Sequence, residues 1–397
     1  MTLSALDENG NPVDWWFAYK LPSLPLPPVS EEEAKSRNAE DLEIYEEAIN
    51  LSMGTAEGTE YLYCDATSPA LPTALSSHTN ILRSGALVNT IQQLRYAAQY
   101  DQQVGWFSYN DEHPKHNYQP IPSSPADNPG YGHSKGLLAF DLKTNSTFWM
   151  LHSWPCYPSI SNLLIDSPSR LFGQTLLCVT LKDVATADAI ARVFHSQSQP
   201  QIIDMNLPQT IEPAKYPNLV QLAHDMPLGT GIPLPLGSST PSDTTFLSRN
   251  GTGFRLFAKS KDWKVPATDK VQEPRDLYSD LIGPTLGVNL EVETWQQGGE
   301  SETDSDNNHT TQDIQWIDLE PLGLKYAWNY LYHDHAKWAI SRDADKQSET
   351  DWVIVADINR IDTQYKRGGV GIAFQNQALA HSLHSIIKMA PLGPKAH

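Results

Sequence analysis

The amino-acid sequence predicts an α/β fold built as two halves around one shared site. Two observations carry this. The stretches "YGHSKGLLAF" (131–140) and "YHDHAKWAI" (332–340) each set a histidine and a lysine two residues apart, just ahead of apolar residues: His133 with Lys135, and His335 with Lys337. The two units are separated by 335 − 133 = 202 residues, about half of the 397. Each is followed by the same local pattern of strand, short turn and strand, and strand–helix sets of related order surround both. That pattern predicts two αβ halves, residues 1–200 and 201–397, packed on each other and not independent domains.

Taken in order, "NPVDWWFAYKLP" (11–22) alternates as a strand, and "PSLPLPPVS" then breaks any regular element. Residues 30–50, with Ser30 as a cap and charges throughout, predict an exposed helix or a mobile insertion. Over 80–99, Ile81, Val88, Ile91 and Leu94 fall near one stripe and predict a core-facing helix. "VGWFSYN" (104–110) predicts a strand, followed by a polar, Pro-rich loop over 111–130. "HSKGLLAFDL", the turn "KTNS" and "TFWMLHSW" form a hairpin with His133 and Lys135 at its mouth. A strand is expected at 174–181 and an Ala-rich helix at 184–196.

After a loop over 227–243 the second half restarts with a strand in "GTGFRLFAKS", a helix start in "EPRDLYSDLIG" and a strand over 287–295. The acidic, low-complexity stretch 296–312 predicts a mobile loop. "HAKWAIS", the loop "RDADKQSE" and "TDWVIVADIN" make a second hairpin.

Composition narrows the function. Hydrophobic residues make up 40%, with 11 Trp, 16 Tyr and 10 Phe, so the chain is globular. No apolar run approaches the roughly 20 residues that cross a bilayer, so no membrane partner is expected. The N-terminus lacks the basic and apolar regions of a secretory signal, so either none existed or the chain is the mature form. Cys64, Cys156 and Cys178 allow at most one bridge. The sequons at Asn50, Asn145, Asn250 and Asn308 read as chance matches, or as acceptors only if the source glycosylates. Twenty-eight Lys and Arg against 47 Asp and Glu give −19, and charging all 13 His still leaves 28 + 13 − 47 = −6. That sign excludes a general nucleic-acid binder at neutral pH. A polyanionic substrate would need acidic conditions or a strongly local basic site; an ordinary acidic protein fits the same numbers.

The repeat supplies such a local site. In an extended strand, residues two apart face the same side, so each His–Lys pair shares a face. Two halves meeting about a pseudo-two-fold axis bring two imidazoles and two ammonium groups together. That set suits phosphodiester chemistry: one neutral imidazole attacks phosphorus, the other, protonated, gives its proton to the departing oxygen. The lysines neutralise phosphoryl charge, a task other nucleases give to metals. The returning strands bring His152 and Ser153 back near His133 and Lys135, and Asp357 and Asn359 back near His335 and Lys337. A carboxylate there would fix a histidine tautomer, and Asn359 would hold a phosphate oxygen. His333 and His335 have the strand spacing of zinc ligands, but no Cys or Glu cluster completes a site, so no metal is expected. "RGGVGIAF" (367–374) lacks the Lys of a P-loop and predicts a tight backbone crossing. Trp154, Trp316 and Trp338 could stack on bases, although burial in the core is the plainer reading.

The sequence also resembles the deoxyribonuclease II family of acid, metal-independent endonucleases. The resemblance runs through "NPVDWWFAYKLP", "YLYCD" (61–65), "SYNDEHP" (108–114), "GHSKG" with "FWMLHS", "DLYSDLIGPTLGVNLEVETW" (276–295), and "DHAKWAIS" with "ADINR" and "KRGG". It implies a phospholipase D-like αβα sandwich of two pseudo-symmetric halves sharing one site. It implies cleavage of double-stranded DNA at acidic pH to 3′-phosphate and 5′-hydroxyl ends, without a cofactor. Carried over by position, His133, Lys135, His335 and Lys337 are the catalytic core and His152 a further catalytic histidine. Outside the resemblance, the hairpin reading adds Asp357 and Asn359 to the catalytic candidates, and Ser153, Trp154 and Arg360 are the substrate-binding candidates. Where the phospholipase D pattern has Asp, this chain has Phe140 and Arg342, with Asp141 and Asp343 one later, and Val370 interrupts the glycine run. Animal members are disulfide-bonded lysosomal glycoproteins, whereas three cysteines point to a bacterial-type or processed relative. A lipid phosphodiesterase on the same fold and a catalytically inactive DNA-binding relative are the alternatives. The sequence leaves the oligomeric state open, a homodimer included.

Overall fold

The computed structural model describes residues 2–25, 52–100, 102–112, 130–155, 160, 171–226, 234–264, 275–296, 303–306, 309–329, 334–342 and 351–388. The helix or insertion expected over 30–50, His333, Asp343, Cys156, and the sequons at Asn50 and Asn308 lie outside the described residues.

Two sheets dominate. The first contains β1 (Trp15–Lys20), β2 (Tyr61–Asp65), β3 (Val104–Tyr109), β4 (Gly136–Asp141), β5 (Ser146–His152), β6 (Gln174–Leu181) and β7 (Ile202–Asn206). Their order is β7-β3-β4-β5-β6-β1-β2, antiparallel throughout. The second contains β8 (Ser242–Leu247), β9 (Gly253–Lys259), β10 (Asn289–Thr294), β11 (Thr303–Asp306), β12 (His309–Asp313), β13 (Lys337–Arg342), β14 (Trp352–Ala356) and β15 (Gly369–Gln375). Its order is β8-β9-β15-β14-β13-β10-β12-β11, with only β10 and β12 parallel.

The orders correspond. In each sheet a central hairpin follows the H-x-K unit, β4–β5 in one and β13–β14 in the other. It is flanked on one side by β3 or β10, and on the other by β6 or β15 and then β1 or β9. The sheets pack face to face. Phe17, Leu138, Trp149 and Leu177 of the first share one core with Leu256, Trp338, Val355 and Ile372 of the second. Alternate residues face outward: Trp16, Ala18 and Cys178 pack under Ile91 and Leu94 of helix α1 (Ala86–Tyr100), while Val292, Ala339 and Ile354 pack under Leu277, Tyr278 and Ile282. Strands covered on both faces have no polar side to show, so β4, β5 and β6 are buried along their whole length. The result is a mixed α/β fold of large sheets and few helices.

Several elements differ from expectation. Helix α1 begins at Ala86, not 80: Asn80 Oδ1 accepts from Leu82 N at 3.0 Å, making a turn, and Gly85 takes φ +92 just before the helix. Helix α2 (Val184–Val193) starts on an Asp183 cap whose Oδ1 accepts from Thr186 N at 2.9 Å, and it ends in a π turn over Phe194–Ser198. The stretch 296–312, expected as a loop, contributes β11 and the start of β12, because β10 offers a free edge that even Thr- and Asp-rich chain can pair with. Strand β7 and helix α3 (Pro217–Asp225) carry no strong periodicity, yet β7 completes the first sheet beyond residue 200 and Leu219 and Leu222 of α3 enter the core between the sheets.

Candidate active site

Both H-x-K units sit where their hairpins begin: Lys135 directly precedes β4, and Lys337 is the first residue of β13. Each histidine is pinned to the opposite sheet. His133 N donates to Gly368 O at 2.8 Å, just ahead of β15, and His335 N donates to Gly173 O at 2.9 Å, just ahead of β6. The exchange needs close backbone approach, which is why glycine stands at both acceptors. A Cβ at Gly368 would meet the Ser198 carbonyl, and one at Gly173 would meet the Asp334 carboxylate. The glycines of "RGGVGIAF" are thus the backbone crossing that the sequence predicts.

His133 is buried, and its Nδ1 lies 2.6 Å from the Asp357 carbonyl oxygen. A carbonyl only accepts, so Nδ1 carries the hydrogen and Nε2 is the ring atom left for chemistry. Lys135 Nζ stands 3.3 Å from the ring nitrogens and pairs with Asp111 Oδ1. Asp111 Oδ2 is 3.7 Å from His133 Nε2 and 2.9 Å from Arg367 Nη1. Burial alone would raise the Asp111 carboxyl; the charges of His133, Lys135 and Arg367 outweigh that and hold it well below the ordinary range.

His335 is held differently. Its ring stacks on Phe172 at 4.1 Å and leans on Trp295 at 4.3 Å, and its Nε2 has no hydrogen-bond partner among the described residues. Lys337 Nζ donates to the His335 carbonyl at 2.7 Å. Burial, then the Lys135 charge, pushes the Lys337 ammonium down to about 7. Burial also holds His133 and His335 well below the usual histidine value and takes His152 down to about 3. Lys135 and Lys337 add to the shift at all three histidines, so the two pairs and His152 form one electrostatic cluster.

Asp357 and Asn359 lie at the end of β14, but the crossing carries Asp357 to His133 of the other unit and not to His335 of its own hairpin. It touches His133 through its carbonyl, while Oδ1 accepts from Val370 N at 2.8 Å. A hairpin fixes only which residues return beside its mouth; the exchange between sheets decides which histidine they meet. Asn359 is buried with Oδ1 lacking a partner among the described residues. Ser153 Oγ donates to Gln174 Oε1 at 2.6 Å and accepts from Thr175 N, and Trp154 is buried beneath Lys20 Nζ, 5.2 Å from its ring. Neither is open to a base or a phosphate. Arg360 departs furthest from expectation. It is buried, with Nε 3.1 Å from Asp276 Oδ2 and Nη1 2.8 Å from Asp313 Oδ2, so its guanidinium is committed to two carboxylates. Of the tryptophans considered for stacking, Trp338 lies in the core between the sheets. Asp141 accepts from Lys143 N and Thr144 in the β4–β5 turn, at the far end of the hairpin from His133.

Sequence reasoning assigns no role to Asp111 or Arg367, although both stand in stretches noted above, "SYNDEHP" and "KRGG". It also overlooks Lys20 and Lys259, the last residues of the corresponding strands β1 and β9. Both are fully buried; Lys20 donates to the Leu21 and Gly58 carbonyls and Lys259 to those of Tyr365 and Arg367. Their parallel placement is legible only once the strand orders are matched. Among the described residues no group of three or more His, Cys, Asp or Glu is arranged to hold a metal ion, and no helix is long and apolar enough to cross a membrane.

A family model for deoxyribonuclease II matches residues 44–391. The chain belongs to the deoxyribonuclease II family. Membership makes it a hydrolase of the deoxyribonuclease class. It is 36% identical over 395 residues to "Putative deoxyribonuclease-2" of Burkholderia pseudomallei, covering 98% of this chain and 94% of that one. It is 28% identical to deoxyribonuclease-2-beta of Rattus norvegicus, covering 97% and 91%, and 28% identical to cell death-related nuclease 6 of Caenorhabditis elegans, covering 96% and 87%.

The buried carboxyl of Asp357 gives a stability test. Burial raises it to about 7, although the Val370 N–H and Lys135 oppose the shift. Because the folded value exceeds the unfolded one near 3.8, its stabilising contribution is complete below about pH 4 and is lost as pH rises through about 7. At about 1.4 kcal/mol per unit, the loss is on the order of 4 kcal/mol. Asp357→Asn keeps an oxygen for Val370 N–H but does not titrate. Its Tm relative to the parent should therefore climb between pH 4 and pH 7.5; a difference that stays flat with pH would contradict the assignment.

Proposed function

We propose that the protein is a metal-independent acid endodeoxyribonuclease acting on double-stranded DNA, in a phospholipase D-like fold whose two halves share the site. The observation that carries this is the exchange of His133 and His335 between the two sheets, which puts two imidazoles and two buried lysines in one cluster. One histidine attacks phosphorus through Nε2, forming a P–N bond as the P–O5′ bond breaks. The opposite imidazolium gives its proton to O5′, leaving a 5′-hydroxyl. Water then attacks the phosphohistidine, the P–N bond breaks, and a 3′-phosphate departs. Lys135 and Lys337 neutralise the phosphoryl oxygens through both steps.

The electrostatics support an acid optimum. All three histidines are depressed, so at neutral pH the free site holds neutral imidazoles and lacks the imidazolium that the mechanism needs. An arriving phosphodiester brings negative charge beside them and favours protonation of one, and acid supplies the proton. Acid also reduces the −19 of the whole chain, which otherwise repels DNA. Plasmid nicking measured against pH in chelator, followed by end-group analysis, tests the proposal. Activity should rise as pH falls from 7 to 5 and leave 3′-phosphates. A maximum above pH 7, abolition by chelator, or 5′-phosphate ends would each defeat it, and turnover on phospholipid vesicles in place of DNA would transfer the site to lipid chemistry.

A further inference from the structure

We propose that the Asp111 carboxylate is an internal anion that occupies the place of the substrate phosphate in the free protein and must be displaced from Lys135 when DNA binds. The proposal rests on the nuclease reading of the site and deepens it. Asp111 faces the groups expected to meet a phosphodiester: Oδ1 is on the Lys135 ammonium, and Oδ2 lies 3.7 Å from His133 Nε2 and 2.9 Å from Arg367 Nη1. The His133 ring is tethered through Nδ1 to the Asp357 carbonyl, so the nitrogen turned towards Asp111 is the one that must reach phosphorus or the leaving oxygen.

The reason for such an anion is physical. Lys135 is almost wholly buried, and an ammonium out of water without a counter-ion costs several kcal/mol. Asp111 supplies that counter-ion at rest. A phosphodiester brings its own negative charge to the same cations, and two anions sharing them repel. Asp357 already stands nearby as a further carboxyl, and Lys337 as a further ammonium, each within electrostatic reach of Asp111. Arg367 is the natural hinge of the exchange. Besides Asp111 it donates to the Tyr131 and Gly132 carbonyls at 3.2–3.3 Å, and it is the least buried of the three cations, so it can stay in place while its anion changes. An internal anion of this kind favours ligands that arrive with high local charge, such as a polynucleotide, over dilute inorganic phosphate.

The test is Asp111→Asn, which keeps the size and removes the charge. Calorimetric titration with inorganic phosphate should show roughly tenfold tighter binding than the parent, and the KM for plasmid should fall. This titration does not require cutting, so a parent protein that fails to nick DNA would refute the nuclease reading separately. A folded variant, with parent-like circular dichroism and a cooperative melt, that binds phosphate no better or more weakly overturns the proposal. Should Asp111→Asn not fold, a crystal structure of the unaltered protein with phosphate at acid pH decides. Phosphate on Lys135 with Asp111 turned away supports displacement; an unbroken Asp111–Lys135 pair, or phosphate that does not reach Lys135, overturns it.

Discussion

His133→Ala and His335→Ala each reduce plasmid nicking by on the order of 10³-fold or more while leaving the fold in place. The magnitude follows from what the proposed mechanism would lose: a nucleophile in one case and an imidazolium proton donor in the other. His152 is the remaining buried imidazole of the cluster, and burial with two lysines takes it to about 3, too low to serve as a proton donor at pH 5. The fold should survive because the contacts that join the sheets here are made by the backbone. His133 N still reaches Gly368 O and His335 N still reaches Gly173 O when the side chains are gone. His133→Ala loses the bond to the Asp357 carbonyl and His335→Ala loses its stack on Phe172, each a local change. Nicking assays in chelator at pH 5, with circular dichroism and melting curves alongside, check both halves of the statement. Parent-like cutting by either folded variant would remove that histidine from the mechanism.

Arg360→Leu is expected to act in the opposite way, on stability and not on substrate. The substitution strands Asp276 and Asp313, both buried, without their shared cation. Breaking a buried ion pair from one side costs about 3–5 kcal/mol. Asp276 keeps bonds from Ser279 N and Tyr278 N, which softens the loss on that side, whereas Asp313 sits fully buried on β12. Urea unfolding should show a lowered midpoint with an unchanged slope. Per folded molecule, KM for DNA should match the parent. A raised KM with unchanged stability would return Arg360 to the substrate-binding role that its place after Asn359 suggests.

The contrast between these residues explains how far the sequence could be read. The H-x-K pairs were legible because the same three-residue spacing recurs with the same hairpin after it, and repetition is visible without knowing what packs on what. The strands around them were legible for a related reason. Covered on both faces, they read as dense apolar runs such as "STFWMLH" and "QTLLCVTL". What could not be read was anything decided across the gap between sheets. Asp357 follows the strand that returns beside His335 yet meets His133. Arg360 is one residue beyond Asn359, yet its guanidinium is taken up by the Asp276 and Asp313 carboxylates. Asp111 comes from the end of β3, next to β4 in the sheet but separated from Lys135 in the chain by more than twenty residues. Strand β12 was hidden for another reason: a Thr- and Asp-rich segment has little β preference of its own and pairs because β10 offers an edge.

The reciprocal Gly173 and Gly368 anchors also bear on when the site forms. The acceptor for His133 lies 368 − 133 = 235 residues further along the sequence, and that for His335 lies 335 − 173 = 162 residues back. Neither histidine is seated until strands of both sheets have come together, so a fragment holding one sheet alone carries an imidazole–lysine pair without its counterpart and without its glycine anchor.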